Sequence, residues 1–459
     1  MNEVRELDGV ADEEDRRVVT HESDLFPVEM GQLLDGVMIL PERRPASTGR
    51  LGMLIIGNRR PRYGYRVLRR RVLAPVLALT LVASLAACSS SDSGGAAIST
   101  TTRVEDLGTV AAYKGEGPNQ VGTTTFALAD GRRVVAWYPA ADSAKDQPKE
   151  IFDIAGLLSP ALQSQTPADK RPQYEINAHP GADQATGGPY PVVLFSHGFA
   201  GFPEQSAELV THLASWGFVV VAPDHVERSL SGLLGVASKG VEKLSDTTVL
   251  SQSLDAAIAD ATRPASPLHD LLDLDHVAVA GHSAGAGAAY QEASTDPRIK
   301  AFIAYSVGLG SGQGGKKRPL PPVPDVPGMV MAGTSDGIIP IAASQKVFKA
   351  MKTPKYFVEI EGAGHLVFSD ICLVGRDQGG LVALIKEVGL KLPANFLRLA
   401  SDGCEKGDLD PAKAFAAIDH LSVAFLRSSF GIDKEPVGLN PEVTSGFIPV
   451  KVTLTAESG

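Results

Sequence analysis

A serine between two glycines carries the clearest chemical signal in this chain. The apolar residues 277–280 lead into the turn Gly-His-Ser-Ala-Gly at 281–285 and then into an alanine-rich segment. An apolar strand that enters such a turn and leaves it as a helix holds the serine on a strained bend with its hydroxyl exposed. The two glycines lack the β-carbons that would collide where strand and helix approach each other. The pattern therefore predicts Ser283 as a nucleophile.

Two further residues are placed to complete a catalytic triad. Asp336 lies in the loop after the apolar run 329–332, and His365 follows the strand-like segment 356–360 through a glycine-rich exit. A serine hydroxyl is a weak nucleophile at neutral pH, so an imidazole must accept its proton and a carboxylate must orient that imidazole. The chain order predicts Ser283 as nucleophile, Asp336 as acid and His365 as base. Taken singly, Asp336 is also a common turn residue and His365 an ordinary loop residue.

An acyl-transfer enzyme also needs N–H donors for the oxyanion that develops on its substrate. One donor is the amide after the nucleophile, here Ala284, and the other comes from a loop after an earlier strand. The apolar run 191–195, followed by Ser-His-Gly-Phe-Ala-Gly at 196–201, fits the second position. Phe199 is the predicted donor there, with Gly198 as the alternative. Three other histidines are predicted to support these loops rather than to catalyse: His197, His225 and His282.

The elements that must position these residues alternate between strand and helix. A hairpin is predicted around the Ala-Asp-Gly turn at 129–131. Further strands are predicted near Val192, Val219, Val277, Ile303, Val330 and Val358, and helices at 204–215, 253–261, 284–293, 343–351 and 411–430. This alternation predicts an α/β fold with a mostly parallel central sheet and helices on both faces.

Two segments, 229–249 and 366–410, are predicted insertions near the active site. Ligands of α/β sheets bind at the carboxyl ends of the strands, so insertions at that edge shape the pocket. The apolar residues of the first insertion are predicted to pack it onto the body, with an acyl pocket as the alternative: Leu230, Leu233, Leu234 and Val236.

Five motifs taken together resemble the α/β-hydrolase superfamily: SHGFAG, GFVVVAPDH, GHSAG, GTSDGIIP and GAGHLVFSD. The resemblance covers about residues 106–430 and is greatest to the dienelactone hydrolase-like and platelet-activating factor acetylhydrolase-like group, which is also similar to bacterial cutinase-type polyester hydrolases. It implies Ser283, Asp336 and His365 as the triad and the amides of Phe199 and Ala284 as the oxyanion hole. True dienelactone hydrolases have a cysteine nucleophile where this chain has serine, which argues against that activity.

The front of the chain predicts export. Three consecutive arginines precede the apolar run 72–84, and Leu-Ala-Ala-Cys then leads into a Ser/Gly-rich stretch. This is the pattern of a secretory signal, too short for a stable membrane span, and its end resembles a bacterial lipobox. We expect a lipoprotein signal peptide at 67–87, lipidation of Cys88, a flexible tether at 88–105 and anchoring to the outer face of a bacterial cell membrane. An uncleaved membrane anchor is the alternative.

Residues 1–66 do not fit this interpretation, because a signal peptide must be N-terminal. We interpret the segment as a start-site artefact, with translation beginning near Met53 or at Val67. A cytoplasmic tail on an uncleaved anchor is the alternative, and peptides from residues 1–50 in the native protein would reject the artefact. The catalytic domain is predicted to span 106–459.

The cysteines fit an exported protein. If Cys88 is lipidated, Cys372 and Cys404 remain, both in the insertion after His365. An even pair in an oxidising compartment predicts a disulfide that closes the loop beside His365. Such a bond typically stabilises by about 2–4 kcal/mol. Two free thiols are the alternative.

Charge and motifs narrow the function. The formal net charge of −10 argues against nucleic-acid binding, which needs basic patches. The sequence contains no phosphate loop, zinc spacing or EF-hand pattern, so we expect no cofactor and no metal. The sequence predicts a serine hydrolase that cleaves small-molecule or lipid carboxylic esters through an acyl-enzyme. A peptidase or amidase, and a noncatalytic envelope binding lipoprotein, are the alternatives. The ester, its acyl length and the oligomeric state stay open.

Overall fold

The computed structural model of the protein describes residues 111–167, 171, 173–237, 241–310, 319–376, 380–387, 389 and 394–458. The predicted extension 1–66, signal peptide 67–87, Cys88 and tether 88–105 lie outside the described residues, so lipidation and export stay predictions. Among the helices of the described ranges, none is both long and apolar enough to cross a membrane.

A ten-stranded sheet forms the centre of the domain, and a separate pair of strands, β3 and β4, stands beside it. The strands are β1 Gln120–Ala127, β2 Arg133–Ala140, β3 Glu150–Asp153, β4 Gln173–Ile176, β5 His179–Pro180, β6 Tyr190–Ser196, β7 Val219–Pro223, β8 Leu272–His282, β9 Ile299–Tyr305, β10 Gly328–Gly333, β11 Lys355–Ile360 and β12 Val452–Glu457. Their order in the large sheet is β12-β11-β10-β9-β8-β6-β7-β2-β1-β5. From β11 to β7 all neighbours are parallel, so their carboxyl ends share one edge.

Helices connect these strands and cover the sheet. They are α1 Pro160–Gln163, α2 Ala207–Ser215, α3 Leu230–Leu233, α4 Asp246–Ala261, α5 Ala284–Thr295, α6 Ile341–Ala350, α7 Gly380–Glu387, α8 Ala394–Leu399 and α9 Pro411–Ser429. Short 3-10 segments include Pro203–Ser206, His365–Phe368 and Asp370–Cys372. α2 and α9 contribute to one apolar cluster of the core, and α4, α5 and α6 contribute to the other.

The central strands are buried on both faces, which explains their nearly continuous apolar sequences. Every residue of β6 is buried. Because side chains alternate along a strand, Val193 and Phe195 join the cluster with α2 and α9, whereas Val192 and Leu194 join the cluster with α4, α5 and α6. The sheet therefore holds its carboxyl edge between two packed helical layers.

The structure confirms the mostly parallel sheet with helices on both faces, and it contains the predicted hairpin as β1 and β2. α4 begins at Asp246 rather than near residue 253, because the Ser245 side chain accepts a hydrogen bond from the Thr248 amide and caps the helix. The first insertion is accordingly shorter than predicted. Four strands had not been predicted, namely the antiparallel pair β3 and β4 and the edge strands β5 and β12. The short helices α1, α3, α7 and α8 had not been predicted either.

A third, smaller apolar cluster joins segments that are far apart in sequence. Buried Phe202, Leu366 and Val374 belong to it, and Leu230 and Leu234 pack against it. The first insertion therefore packs onto the residues that follow the oxyanion and base loops, as its leucines predicted. Val236, by contrast, is exposed.

Candidate active site

The predicted nucleophile stands on a strained turn between β8 and α5. Ser283 has φ 58° and ψ −117°, a backbone conformation that costs free energy and persists only where the surroundings enforce it. A β-carbon at Gly281 would overlap the carbonyl of Gly285, and one at Gly285 would overlap the carbonyl oxygen of Ser196. The Ser283 amide donates to Tyr305 O at 2.9 Å. Strand, turn and helix are thus locked together, and the half-buried serine is presented at the sheet edge.

The predicted acid and base contact each other after β10 and β11. His365 Nδ1 lies 2.9 Å from Asp336 Oδ2, and both side chains are almost fully buried. Asp336 Oδ1 accepts from the amides of Ile338 and Ile339 at 2.8 and 2.7 Å. Burial opposes ionisation of Asp336, but the hydrogen bond and charge interaction with His365 and the Ile339 amide outweigh it and lower the pKa of the carboxyl. The carboxylate is therefore ionised, and His365 Nδ1 carries a proton.

The other ring nitrogen of His365 is the one that a base would use. Within the described part of the chain, His365 Nε2 is buried and has no hydrogen-bond partner. The residue before Ser283, His282, contacts this ring, and the centroids of the two imidazole rings lie 4.7 Å apart. His282 Nε2 also donates to the main-chain oxygen of His365 at 2.9 Å. The turn that carries Ser283 and the loop that carries His365 are therefore in contact.

The loop after β6 distinguishes between the two predicted oxyanion donors. The Gly198 amide donates to Gln205 Oε1 at 3.0 Å and is already engaged. Neither the Phe199 amide nor the Ala284 amide donates to another residue within the described ranges. Phe199 is half-buried and Ala284 is exposed, so both amides belong to accessible parts of their loops. This geometry favours Phe199 over Gly198.

Several known proteins are similar to this chain in sequence or in fold. The sequence model described as chlorophyllase matches residues 176–322. A carboxymethylenebutenolidase, so named in Methylorubrum extorquens, is 28% identical over 200 residues. The match covers 40% of this chain and 66% of that protein. Platelet-activating factor acetylhydrolase of Gallus gallus is 22% identical over 402 residues, 72% of this chain and 88% of that protein. The first relative is thus matched over slightly less than two thirds of its length.

Among solved structures, a ferulic acid esterase from Streptomyces cinnamoneus is similar to this chain. The TM-score is 0.47, the sequences are 20% identical, and the match covers 72% of this chain and 96% of the esterase. The sheet order, the turn that carries Ser283 and the sequence matches together decide the fold. This chain has the α/β-hydrolase fold.

A hydrogen-bonded relay joins the oxyanion loop to the base loop. Gln205 accepts from Gly198 through Oε1, and its Nε2 donates to His282 Nδ1 at 2.8 Å. His282 Nε2 then donates to the His365 carbonyl. Burial, reinforced by neighbouring His365, lowers the pKa of His282 to about 3. His282 is therefore a neutral, buried connector, which agrees with its predicted supporting role.

A second buried network lies beneath the oxyanion loop and centres on Arg228. Its guanidinium donates to the carbonyls of His197 and Gly198 and to Ser196 Oγ, the last two at 2.9 and 2.8 Å. Arg228 Nε also donates to Asp246 Oδ1 at 2.9 Å. Because the C=O and N–H of a trans peptide point in opposite directions, the contact of the Gly198 carbonyl with Arg228 turns the Phe199 amide away from Arg228.

The other two histidines of this region also serve as supports. His197 Nε2 accepts from the His225 amide at 3.0 Å, and His225 Nε2 lies 2.9 Å from Ser196 Oγ. Burial lowers the pKa of both rings, that of His225 to about 3. They are therefore neutral members of the same network.

The insertion after His365, residues 366–410, is called the base-side insertion, and its two cysteines form a disulfide. Cys372 and Cys404 are 32 residues apart in sequence, and their Cα atoms lie 5.0 Å apart. Within the described ranges, no group of three or more His, Cys, Asp or Glu side chains is placed to hold a metal ion.

Sequence reasoning missed Gln205, Arg228 and Asp402, the last of which contacts the base loop. Each has partners set by tertiary approach rather than by a local motif. The only signal available was the position of Gln205, seven residues after Gly198 and close to the start of α2.

Proposed function

We propose that this α/β hydrolase cleaves carboxylic esters through an acyl-enzyme on Ser283, with His365 as base and Asp336 as the residue that orients it. The observation that supports the proposal most is the buried Asp336–His365 pair. The Nε2 atom of His365 has no partner among the described residues, and its ring contacts His282 in the strained turn that carries Ser283. A neutral imidazole with Nδ1 protonated has its basic lone pair on Nε2. That nitrogen is suited to accept a serine proton.

The reaction follows from these positions. His365 Nε2 takes the Ser283 proton as Oγ attacks the ester carbonyl, and the amides of Phe199 and Ala284 hold the resulting oxyanion. The imidazolium, stabilised by ionised Asp336, then returns the proton to the departing alcohol and leaves an acyl group on Ser283. A water molecule deprotonated by the same nitrogen hydrolyses that acyl ester and restores the serine.

The sequence relatives support a substrate class for the proposed reaction. One is named as a carboxymethylenebutenolidase and the other as a platelet-activating factor acetylhydrolase. We therefore propose a small-molecule or lipid ester as the substrate.

Replacing the nucleophile provides the decisive test. We expect Ser283→Ala to lower kcat on p-nitrophenyl esters from acetate to palmitate by at least about 10³-fold, because the covalent route is removed. A fluorophosphonate should label Ser283 in the unaltered protein. Ser294→Ala, which alters a half-buried serine near the other end of the same helix, is the matched control.

Two results would contradict this proposal. Retained ester hydrolysis in Ser283→Ala would remove the serine from the mechanism. An unaltered protein that leaves every ester intact and resists the fluorophosphonate would favour a binding role, whereas cleavage of amide substrates alone would indicate a peptidase or amidase.

A further inference from the structure

One aspartate of the base-side insertion holds the main chains of both catalytic loops. Asp402 Oδ1 accepts from the His365 amide at 2.7 Å and from the Gly337 amide at 3.3 Å. The Asp402 carbonyl accepts from Leu366 at 3.0 Å. One residue thus contacts the peptides on either side of the base and the residue directly after the acid Asp336.

Arg398 contacts the acid loop from the same side. Its guanidinium donates to the Gly337 carbonyl, so the N–H and the C=O of Gly337 both bind the insertion. The Asp402 amide donates to the Arg398 carbonyl at 2.9 Å, which fixes the two residues relative to each other. Two side chains therefore hold one glycine of the acid loop.

The fit between the insertion and the two loops is close. A β-carbon at Gly337 would overlap the Asp402 carboxylate, and one at Gly364 would overlap the backbone of Gly403. Both loops therefore need glycine where the insertion approaches them. This closeness means that a displaced insertion cannot keep its contacts with either loop.

The disulfide attaches this contact to the body of the protein. Cys404 lies two residues after Asp402, and its partner Cys372 is buried in the third apolar cluster, seven residues after His365. The covalent bond therefore ties the part of the insertion that carries Asp402 to the segment directly after His365. Asp402 is half-buried and Arg398 is exposed, so the apolar core does not hold either of them directly.

We propose that Asp402 is a positioning residue that fixes the His365 loop against the Asp336 loop, and that the Cys372–Cys404 disulfide keeps it in place. The inference rests on the proposed function of this triad. The acid and the base lie in loops that follow two different strands, β10 and β11. Their 2.9 Å contact therefore depends on the distance between these loops. Because errors of about 1 Å in catalytic geometry can cost about 10²-fold in rate, a residue that sets this distance governs kcat.

The test compares two substitutions at the same position. Asp402→Ala removes the acceptor, and we expect kcat to fall roughly 10- to 100-fold with KM changed less than about threefold, because the Asp402 carboxylate contacts the main chains of the two loops. Asp402→Asn keeps a carbonyl oxygen that accepts both amides, so we expect it to restore most of the rate. Asp408→Ala is the matched control, since Asp408 is an exposed residue of the same insertion and the one described contact of its carboxylate is with the nearby Glu405 amide.

Amide hydrogen exchange gives a readout that does not need activity. In Asp402→Ala, the amides of Gly337 and His365 lose their acceptor, so peptides covering both should exchange faster than in Asp402→Asn. Cys372→Ser/Cys404→Ser should increase exchange in the same two peptides and lower kcat in the same direction. If Asp402→Ala fails to fold, this double variant and Asp402→Asn carry the test.

The outcomes separate this proposal from the proposed function. Unchanged exchange at Gly337 and His365, or a kcat for Asp402→Ala equal to that of Asp408→Ala, overturns the positioning role. A rise in KM at constant kcat also overturns it, because it would make Asp402 a binding residue. If the unaltered protein hydrolyses no ester, the proposed function fails, and the exchange measurement alone still decides whether Asp402 positions the loops.

Discussion

The two halves of the active site are supported in different ways. The nucleophile and oxyanion half, at the ends of β8 and β6, rests on side chains from the body of the fold, with Gln205, Arg228 and His282 all buried. The acid–base half, at the ends of β10 and β11, is held by half-exposed Asp402 and exposed Arg398 from an insertion closed by a disulfide. The nucleophile is thus part of the folding core, whereas the base depends on an added segment.

The largest expected effect tests whether the elbow is part of the core. In Gly285→Ala the new methyl group would overlap the backbone oxygen of Ser196, and neither the strand nor the helix can yield. We expect a loss of stability of about 3 kcal/mol or more, with loss of ester hydrolysis. Thermal unfolding and the ester assay measure the two effects.

Gly287 provides the matched control on the same helix. A β-carbon there would meet only Leu309 Cδ2, at 3.9 Å. Gly287→Ala should therefore leave activity unchanged and raise stability by up to about 1 kcal/mol, because alanine favours helix. An unaltered melting temperature in Gly285→Ala would mean that the nucleophile half is not built into the core, and the contrast between the halves would be lost.

The same contrast explains what the sequence could predict. Ser283 was predictable because the strand and the tight turn lie within nine consecutive residues and the helix follows directly. The chain order of the fold then pointed to Asp336 and His365. Gln205 and Asp402 were not predictable, since their partners lie 77 and 37 residues away. Those contacts depend on how loops approach each other in three dimensions, and no local pattern records that approach.

The fold shows the same division. The six central strands were predictable because burial on both faces requires long apolar runs. β12 was not, because only Val452 and Leu454 of its six residues are buried. The edge strands of the sheet, like the contacts of the base-side insertion, are determined by tertiary pairing rather than by local composition.

The next effect tests the buried relay of the nucleophile half. Gln205→Leu leaves the Gly198 amide and His282 Nδ1 without their present partners in a buried site. We expect kcat to fall roughly 10- to 100-fold with a smaller change in KM, because the oxyanion loop loses its orientation. Gln291→Leu, at an exposed glutamine of α5, is the matched control.

Steady-state kinetics on one ester would measure this effect. If Gln205→Leu and Gln291→Leu gave the same kcat, Arg228 alone would hold the oxyanion loop. The relay would then connect the two halves without serving catalysis.

The smallest expected effect separates the halves by their response to acid. His282 has its pKa lowered to about 3 by burial, so in the folded protein it stays neutral where an unfolded histidine, with a pKa near 6.5, takes up a proton. Its contribution to stability is complete above about pH 6.5 and is lost as the pH falls towards 3. Asp336 also has a lowered pKa, and its contribution is lost only when the pH falls below the usual carboxyl value of 3.8. Acid should therefore weaken the nucleophile half first.

A variant that lacks only His282 isolates the contribution of this ring from those of the other titrating groups. In urea unfolding, the stability difference between the unaltered protein and His282→Gln should shrink by up to about 2 kcal/mol between pH 6.5 and pH 4.5, because only the former loses stability through this ring. The corresponding difference for Gly287→Ala should not change with pH, since that position carries no titrating group. A constant difference for His282→Gln would show that His282 becomes charged in the folded protein, and the neutral relay that joins the oxyanion loop to the base loop would then be wrong.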